Sequence, residues 1–384
     1  MIQAPLTRRT VLRTLVGTAV SLPLLRAADT APAPTAAQLE SMEAAVRKVM
    51  KTYQVPGLSL ALAHGGTLAY SAAFGMADKD AEEPLTPAFR FRIASVSKPI
   101  TSAAIFRLIE LGKLGLDDKV FGPKGRLPDF EATDPKVQQI TLHHLLTHTS
   151  GGWGNAANDP MFKHVGMSHR QLIAETLKSQ PLNKEPGQSY AYSNFGYCLL
   201  GRVIEAVTGE TYEDHVKKHI LAPCGIETMC IGGTTVAERL PQEVIYHGQR
   251  GEDPYRPTIN PHRMDSHGGW IATATDLTKL LVRLDGFPNP TDLLTPASIR
   301  LMTSASSINP GYACGWAVNR QPNWWHGGSL PGTATLAVRT ASGMCWSVLT
   351  NTRGSHPSEP SKSLDLALDR MMWELARSVP AWRA

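Results

Sequence analysis

Ser95 is followed three residues later by Lys98, a spacing of serine and lysine found nowhere else in the 384 residues. An apolar helical pattern begins at the same point and runs through Ala103, Ile105, Phe106, Leu108 and Ile109. Residues three apart on a helix share a face, so the pattern predicts the Ser95 hydroxyl within reach of the Lys98 amine. A serine hydroxyl is a weak nucleophile until a neighbouring base takes its proton. A lysine becomes such a base when burial or nearby cations lower its pKa. The positive end of the helix dipole would favour the alkoxide and the oxyanion that follows it. Pro99 falls in the first turn, where its missing N–H costs little, although it restricts Lys98. The plainer reading is an ordinary helix start, with Ser95 as a cap and Lys98 in solvent.

A second stretch with chemical content is Tyr190-Ala191-Tyr192-Ser193-Asn194, just ahead of an apolar helical pattern. A phenol relays a proton if nearby cations such as Lys98 lower its pKa. Asn194 offers both a donor and an acceptor to an amide or ester. The plainer reading makes Tyr192 a buried aromatic and Asn194 a helix cap. The third stretch is Trp324-Trp325-His326-Gly327-Gly328-Ser329. His326 could face a cleft there, and the glycines Gly327 and Gly328 let a substrate backbone approach closely. A backbone N–H beside these glycines could serve an oxyanion. Read plainly, it is a turn with a histidine in it.

Taken together and in this order, the three stretches resemble the active-site elements of the serine β-lactamase and penicillin-binding-protein superfamily. The Tyr-x-Asn form is similar to its class C branch, with DD-peptidases, D-aminopeptidases and family VIII carboxylesterases. Two further segments, 145–151 and 268–277, look like recurrent family segments, and the likeness covers roughly residues 38–376. The resemblance implies that Ser95 forms an acyl-enzyme and that Lys98 and Tyr192 share the base work, without saying which takes the proton. It implies that Asn194 holds the acyl side of the substrate. His326 would contact the leaving side or substrate polar groups, and the N–H groups of Ser95 and Ser329 would form the oxyanion hole. It further implies small ester, amide or peptide substrates and no cofactor or metal. Esterase or D-aminopeptidase-like hydrolysis is the expectation, with a DD-carboxypeptidase or class C-like β-lactamase as the alternative. A receptor that is acylated without turnover is the alternative of another class. His326 stands where class C β-lactamases carry a lysine, which weakens a fixed positive charge at neutral pH.

Other constellations compete less well. His144 and His148 have the four-residue spacing of a zinc pair, but Leu145 follows the first histidine where a metalloprotease needs glutamate. No Gly-x-Ser-x-Gly elbow occurs. Asp265-Ser266-His267 are adjacent residues that cannot form a triad on their own. Trp153, Trp270, Trp324 and Trp325 could line an acyl pocket or pack the core.

The elements that must position these residues alternate between two regimes. Residues 36–53 carry a helical period. Residues 58–63 and 67–75 read as a hairpin across His64-Gly65-Gly66, and a short strand at 89–93 delivers the chain to Ser95. Helical patterns follow near 142–147, 169–179, 194–207, 212–220 and 275–284. Strand patterns return at 312–318, 324–325, 333–339 and 345–349, and a helix closes at 361–376. The expected fold is α+β: an antiparallel sheet flanked by N- and C-terminal helices, with a mostly helical insertion. By resemblance it is β-lactamase/transpeptidase-like. The α/β sandwich is expected from 38–113 and 265–384, the helical domain from 114–264.

The formal net charge is +5. Residues 1–26 hold Arg8, Arg9, Arg13 and Arg26 and no acid, which leaves the remainder near neutral. With no basic run, a nucleic-acid partner is not expected. Paired arginines ahead of a short apolar run resemble a twin-arginine export signal at 1–28, followed by a linker at 29–37. The expectation is a periplasmic or secreted protein without stable membrane insertion after processing. Five cysteines leave at least one unpaired. Cys224 with Cys230, or Cys314 with Cys345, are the pairings considered, and small core residues are the alternative.

Overall fold

The hairpin forms as its sequence suggests. Strands β1 (Gly57–His64) and β2 (Thr67–Asp78) pair antiparallel, with Leu58 opposite Phe74 and Leu62 opposite Tyr70. The computed structural model describes residues 32–359 and 361–382, so the expected export signal lies outside the described residues. β3 (Glu83–Pro84) borders β2. β4 (Phe91–Arg92), β5 (Cys230–Ile231) and β6 (Trp270–Ala272) make a separate small sheet of order β4-β6-β5. The strand expected at 89–93 is therefore two residues long and belongs to this second sheet. β7 (Ala317–Val318), β8 (Trp324–Leu330), β9 (Thr333–Arg339) and β10 (Met344–Thr350) complete the main sheet. Its order is β3-β2-β1-β10-β9-β8-β7. The pattern at 312–318 yields only β7, and β8 extends past Trp325 to carry the whole of the third motif.

Successive strand residues face opposite sides of a sheet, and the central strands use both sides. Leu58, Leu60 and Leu62 of β1, with Met344, Trp346 and Val348 of β10, enter one apolar cluster. Ala61 and Ala63, with Cys345 and Leu349, enter the other. The first face is covered by the terminal helices. α1 (Ala36–Tyr53) starts at a capping box of Thr35 and Gln38 and buries Met42 and Val46. The C-terminal helix (Leu364–Ser378) adds Leu368, Met372 and Leu375. Each such side chain contributes about 1.5–3 kcal/mol by leaving water.

The second face carries the chemistry. α2 (Ser97–Glu110) is buried along almost its whole length. α3 (Leu142–Leu146), α4 (Asn155–Asn158) and α5 (His169–Ser179) follow, then α6 (Asn194–Thr208) and α7 (Tyr212–Val216). α8 (Asp265–Gly268) and α9 (Ala274–Val282) bring the chain back to the sheet. α10 (Pro296–Thr303) precedes β7, and α11 is the C-terminal helix. Among the described residues no helix is long and apolar enough to cross a membrane.

Candidate active site

Ser95 sits on a single 3-10 turn, Ala94–Val96, that joins β4 to α2. The helix starts two residues later than the apolar pattern suggests. Several bonds fix the approach to that turn. The Ile93 N–H donates to the Trp270 carbonyl at 3.0 Å. The Arg92 carbonyl accepts from the Thr333 hydroxyl at 2.9 Å and from the Thr335 hydroxyl at 3.3 Å. Arg92 itself is buried, with its guanidinium 4.3 Å from the Tyr246 ring centroid and bonded to the carbonyls of Pro254 and Gly233. Ala94 has φ of 47°, a left-handed conformation that a side chain disfavours. Such residues persist where the surroundings over-determine them, often at functional sites. β8 runs beside the turn, and Gly328 is what lets it come close. A Cβ there would stand 2.2 Å from the Ile93 carbonyl oxygen.

Lys98 lies in the first turn of α2 and is wholly buried. Its Nζ is 3.0 Å from Ser95 Oγ, 2.7 Å from Asn194 Oδ1 and 3.1 Å from the His267 carbonyl. Burial lowers its pKa to about 7, against the opposing pull of Asp159. A neutral amine has two N–H groups and one lone pair. The His267 carbonyl can only accept. Asn194 presents its oxygen to the amine, because its Nδ2 donates to Asp159 Oδ2 at 2.7 Å. Both N–H groups are thereby used, and the lone pair is left for the Ser95 O–H. The site thus places a base against the candidate nucleophile.

Tyr192 approaches from the segment before α6. Its hydroxyl is in hydrogen-bonding contact with the Ser95 side chain, and Lys98 Nζ is 4.7 Å from its ring centroid. Burial raises its pKa well above the usual phenol value, with only partial relief from the Ser95 bond. The cation effect considered from the sequence does not win, because the amine that would supply the charge is itself driven toward neutrality by burial. Of the two, Lys98 is the group poised to accept a proton near pH 7. Ser193, rather than Asn194, caps α6, its hydroxyl accepting from the Gly196 N–H at 3.1 Å.

His326 is buried at the cavity wall, and both its ring nitrogens are occupied. The Ser193 N–H donates to His148 Nδ1 at 3.1 Å, which makes that nitrogen an acceptor and leaves the proton of the neutral ring on Nε2. His148 Nε2–H then donates to the Tyr312 oxygen at 3.2 Å, and the Tyr312 O–H to His326 Nε2 at 3.0 Å. His326 Nδ1–H donates to the Gly327 carbonyl at 2.7 Å. Burial, and next the nearby Lys98 charge, push the His326 pKa down to about 3, and burial also holds His148 well below its usual value. Each bond in this series has one permitted direction. His326 therefore presents a neutral ring to the cavity and no free N–H.

A cavity of about 470 Å³ opens over these groups. Ser95, Tyr192, Asn194, His326, Gly328 and Ser329 all line it, whereas Lys98 lies beneath it. Three distant segments thus meet as the motifs imply. Beyond Trp325, β8 has no strand partner among the described residues on the side opposite β9. Alternate backbone N–H groups there are left for another acceptor. Phe162, Arg256, Ile259 and Arg353 also face the cavity and were not apparent from the sequence. Nor were Asp159 and Tyr312, which no motif or spacing marks; His148, singled out only for its spacing from His144, has a different role here. Arg353 is held by Glu252 and reaches the Ser329 hydroxyl at 3.3 Å.

Other candidates disperse. None of Trp153, Trp270, Trp324 and Trp325 lines the cavity. Trp270 is buried and donates to the Tyr212 hydroxyl, and Trp324 lies under the Arg339 guanidinium. His144 Nδ1 accepts from the Thr141 N–H, while His148 belongs to the series above. Asp265 pairs with Arg202 and bonds Ser266, so its link to His267 is through the backbone alone. All five cysteines are free thiols, so neither pairing considered forms; four are buried.

Comparisons with known proteins agree with this architecture. The chain is similar to Penicillin-binding protein 4* of Bacillus subtilis (strain 168), 30% identical over 317 residues, covering 75% of this chain and 66% of that protein. It is 31% identical over 261 residues to Esterase EstB of Burkholderia gladioli, covering 63% and 64%. The chain thus spans about two thirds of the length of these relatives. Among solved structures, D-amino acid amidase from Ochrobactrum anthropi SV3 complexed with L-phenylalanine amide superimposes with a TM-score of 0.72 at 22% identity. That match covers 89% of this chain and 99% of the amidase, and it speaks for the fold. The Beta-lactamase family model matches residues 42–369, nearly all of the described chain, and the protein belongs to that family.

Proposed function

We propose that this protein is a serine acyl hydrolase that cleaves small ester or amide bonds through a covalent acyl-enzyme on Ser95. The observation that carries the proposal is the Lys98 amine, its two N–H groups committed and its lone pair aimed at Ser95 Oγ across 3.0 Å. Ser95 Oγ attacks the acyl carbonyl as its proton passes to Lys98 Nζ. The carbonyl π electrons move to oxygen, and the N–H groups of Ser95 and Ser329 are the proposed donors to that oxyanion. Collapse expels the leaving group, which takes a proton from Tyr192, a phenol that keeps its own proton at neutral pH. Lys98 re-protonates Tyr192, and the neutral amine then activates the water that releases the acid.

Esters and amides are favoured by the names of two similar proteins, an esterase and a D-amino acid amidase. A neutral His326 gives no fixed cation where a β-lactam or peptide carboxylate would want one. Carboxylate-bearing substrates, in the manner of a DD-carboxypeptidase or β-lactamase, are therefore placed second. The test is a panel of p-nitrophenyl esters, D-aminoacyl amides and a chromogenic β-lactam on wild type and Ser95→Ala. Turnover lost with Ser95, and an acyl adduct on the wild type by mass spectrometry, are expected. Undiminished turnover in the alanine variant would overturn the mechanism, and a burst of one equivalent without turnover would favour an acylated receptor. Export through the twin-arginine-like segment is proposed with it, and cell fractionation with and without Arg8→Lys and Arg9→Lys tests that location.

A further inference from the structure

Away from the cavity, Glu210, His215 and His219 bring three metal-ligating atoms within 4.8 Å of one another, the only such cluster among the described residues. We propose that these three side chains bind a divalent transition cation of the zinc type. The second pair of histidines four apart in the sequence is the one whose rings meet. Their centroids are 4.5 Å apart, on the face formed by α7 and the single wide π-turn that follows it, Lys217–Leu221. π-turns are rare and recur at functional sites.

The geometry is close to what a small cation requires. Glu210 Oε2 is 2.7 Å from His215 Nδ1 and 3.3 Å from His219 Nε2. With metal bonds of about 2.0–2.2 Å in a tetrahedron, ligand atoms stand about 3.3 Å apart. Two imidazoles and one carboxylate suit Zn²⁺, Co²⁺, Ni²⁺ or Cu²⁺ rather than Ca²⁺ or Mg²⁺. His219 lies at the surface and can adjust, and the fourth position is open to water. Lys218 Nζ bonds Glu210 Oε1 at 2.6 Å, which orients the carboxylate and leaves Oε2 for the cation. His215 is 3% exposed, and its Nε2 is a buried polar atom without a partner. That ring is held in place by packing, not by hydrogen bonds on its far side.

Glu210 follows the C-terminal end of α6, and Tyr212 ties the segment to Thr101 of α2 at 2.7 Å. A cation here clips α7 to the end of α6 and so stiffens the layer that carries Asn194 and Lys98. The competing arrangement is a plain cluster in which Glu210 serves the Lys218 ammonium and the two imidazoles and no metal binds.

The experiment uses the full chain, free of any affinity tag and stripped of metal. Zn²⁺ is titrated against a chromophoric chelator, and Co²⁺ is added separately to read its visible absorption bands. One equivalent is expected in wild type and in Ser95→Ala, weakened at least about tenfold in His219→Ala and in Glu210→Gln. Zn²⁺ should raise the Tm of wild type and not of those two variants. Both substitutions are at accessible positions, and circular dichroism checks that they fold. Equal Zn²⁺ affinity in His219→Ala, or no stoichiometric binding to wild type, would overturn the proposal.

Discussion

The Tyr312 hydroxyl stands 3.0 Å from His326 Nε2 and donates to it. This one contact decides what the third motif offers to a substrate. Tyr312→Phe removes that donor and also the acceptor of His148 Nε2–H, which is left buried without a partner. An unsatisfied buried donor costs about 1–3 kcal/mol. Tyr312→Phe is expected to lower Tm by several degrees, measurable by differential scanning fluorimetry. An unchanged Tm would mean that the series does not hold the two rings.

Lys98 must be neutral to accept the Ser95 proton, and its pKa stands at about 7. The rate constant kcat/KM should therefore fall on the acid side with an apparent pKa near that value, since protonation fills the lone pair. Lys98→Arg keeps the charge and removes the base. It should cost on the order of 10²–10⁴-fold in rate. A pH–rate profile flat from pH 5 to 8 would exclude Lys98 as the titrating base.

Gly328 brings β8 against the backbone that precedes Ser95. Gly328→Ala places a methyl group where the Ile93 carbonyl oxygen already lies, 2.2 Å away. Overpacking of this kind costs about 1–3 kcal/mol. The shift would fall on the turn that carries Ser95 and on the strand opposite it, so kcat should drop more than tenfold. Gly115→Ala, at a loop position outside the left-handed region where an added Cβ would make only an ordinary contact, 3.5 Å from Asp118 Oδ1, is the control for a general effect of the substitution. Equal losses in both would argue against a local cause.

Asp285 is buried beside Asp292, and burial raises its pKa to about 7. The unfolded chain releases the same proton near pH 3.9. Between those values the native state binds more protons, so this group's contribution falls as pH rises from about 4 to 7. Asp285→Asn keeps the acceptor for the Phe287 N–H, which lies 2.8 Å away. The Tm of the variant relative to wild type should be higher at pH 8 than at pH 4.5. A difference that did not change with pH would show that Asp285 titrates normally.

Much of the fold was legible because its elements obey simple periods. The helix at 36–53 and the hairpin at 58–75 have clean apolar patterns and explicit stops at Val55-Pro56-Gly57 and at Gly65-Gly66, and they form as read. The two-residue strands were less legible: β4 and β7 lie within longer expected strands at 89–93 and 312–318, and β5 was not expected. They exist only through pairing with distant partners and carry too few residues for any period. By spacing the sequence determined which serine and lysine could work together, since Ser95 and Lys98 are three apart, and its family resemblance added Tyr192 to them. What the chain decided only on folding was their protonation. Burial, which no local pattern records, brings the Lys98 amine toward neutrality and holds the proton on the Tyr192 phenol. Contacts across 164 and 14 residues, His148 to Tyr312 and Tyr312 to His326, turn a histidine that could have met a substrate into a neutral wall.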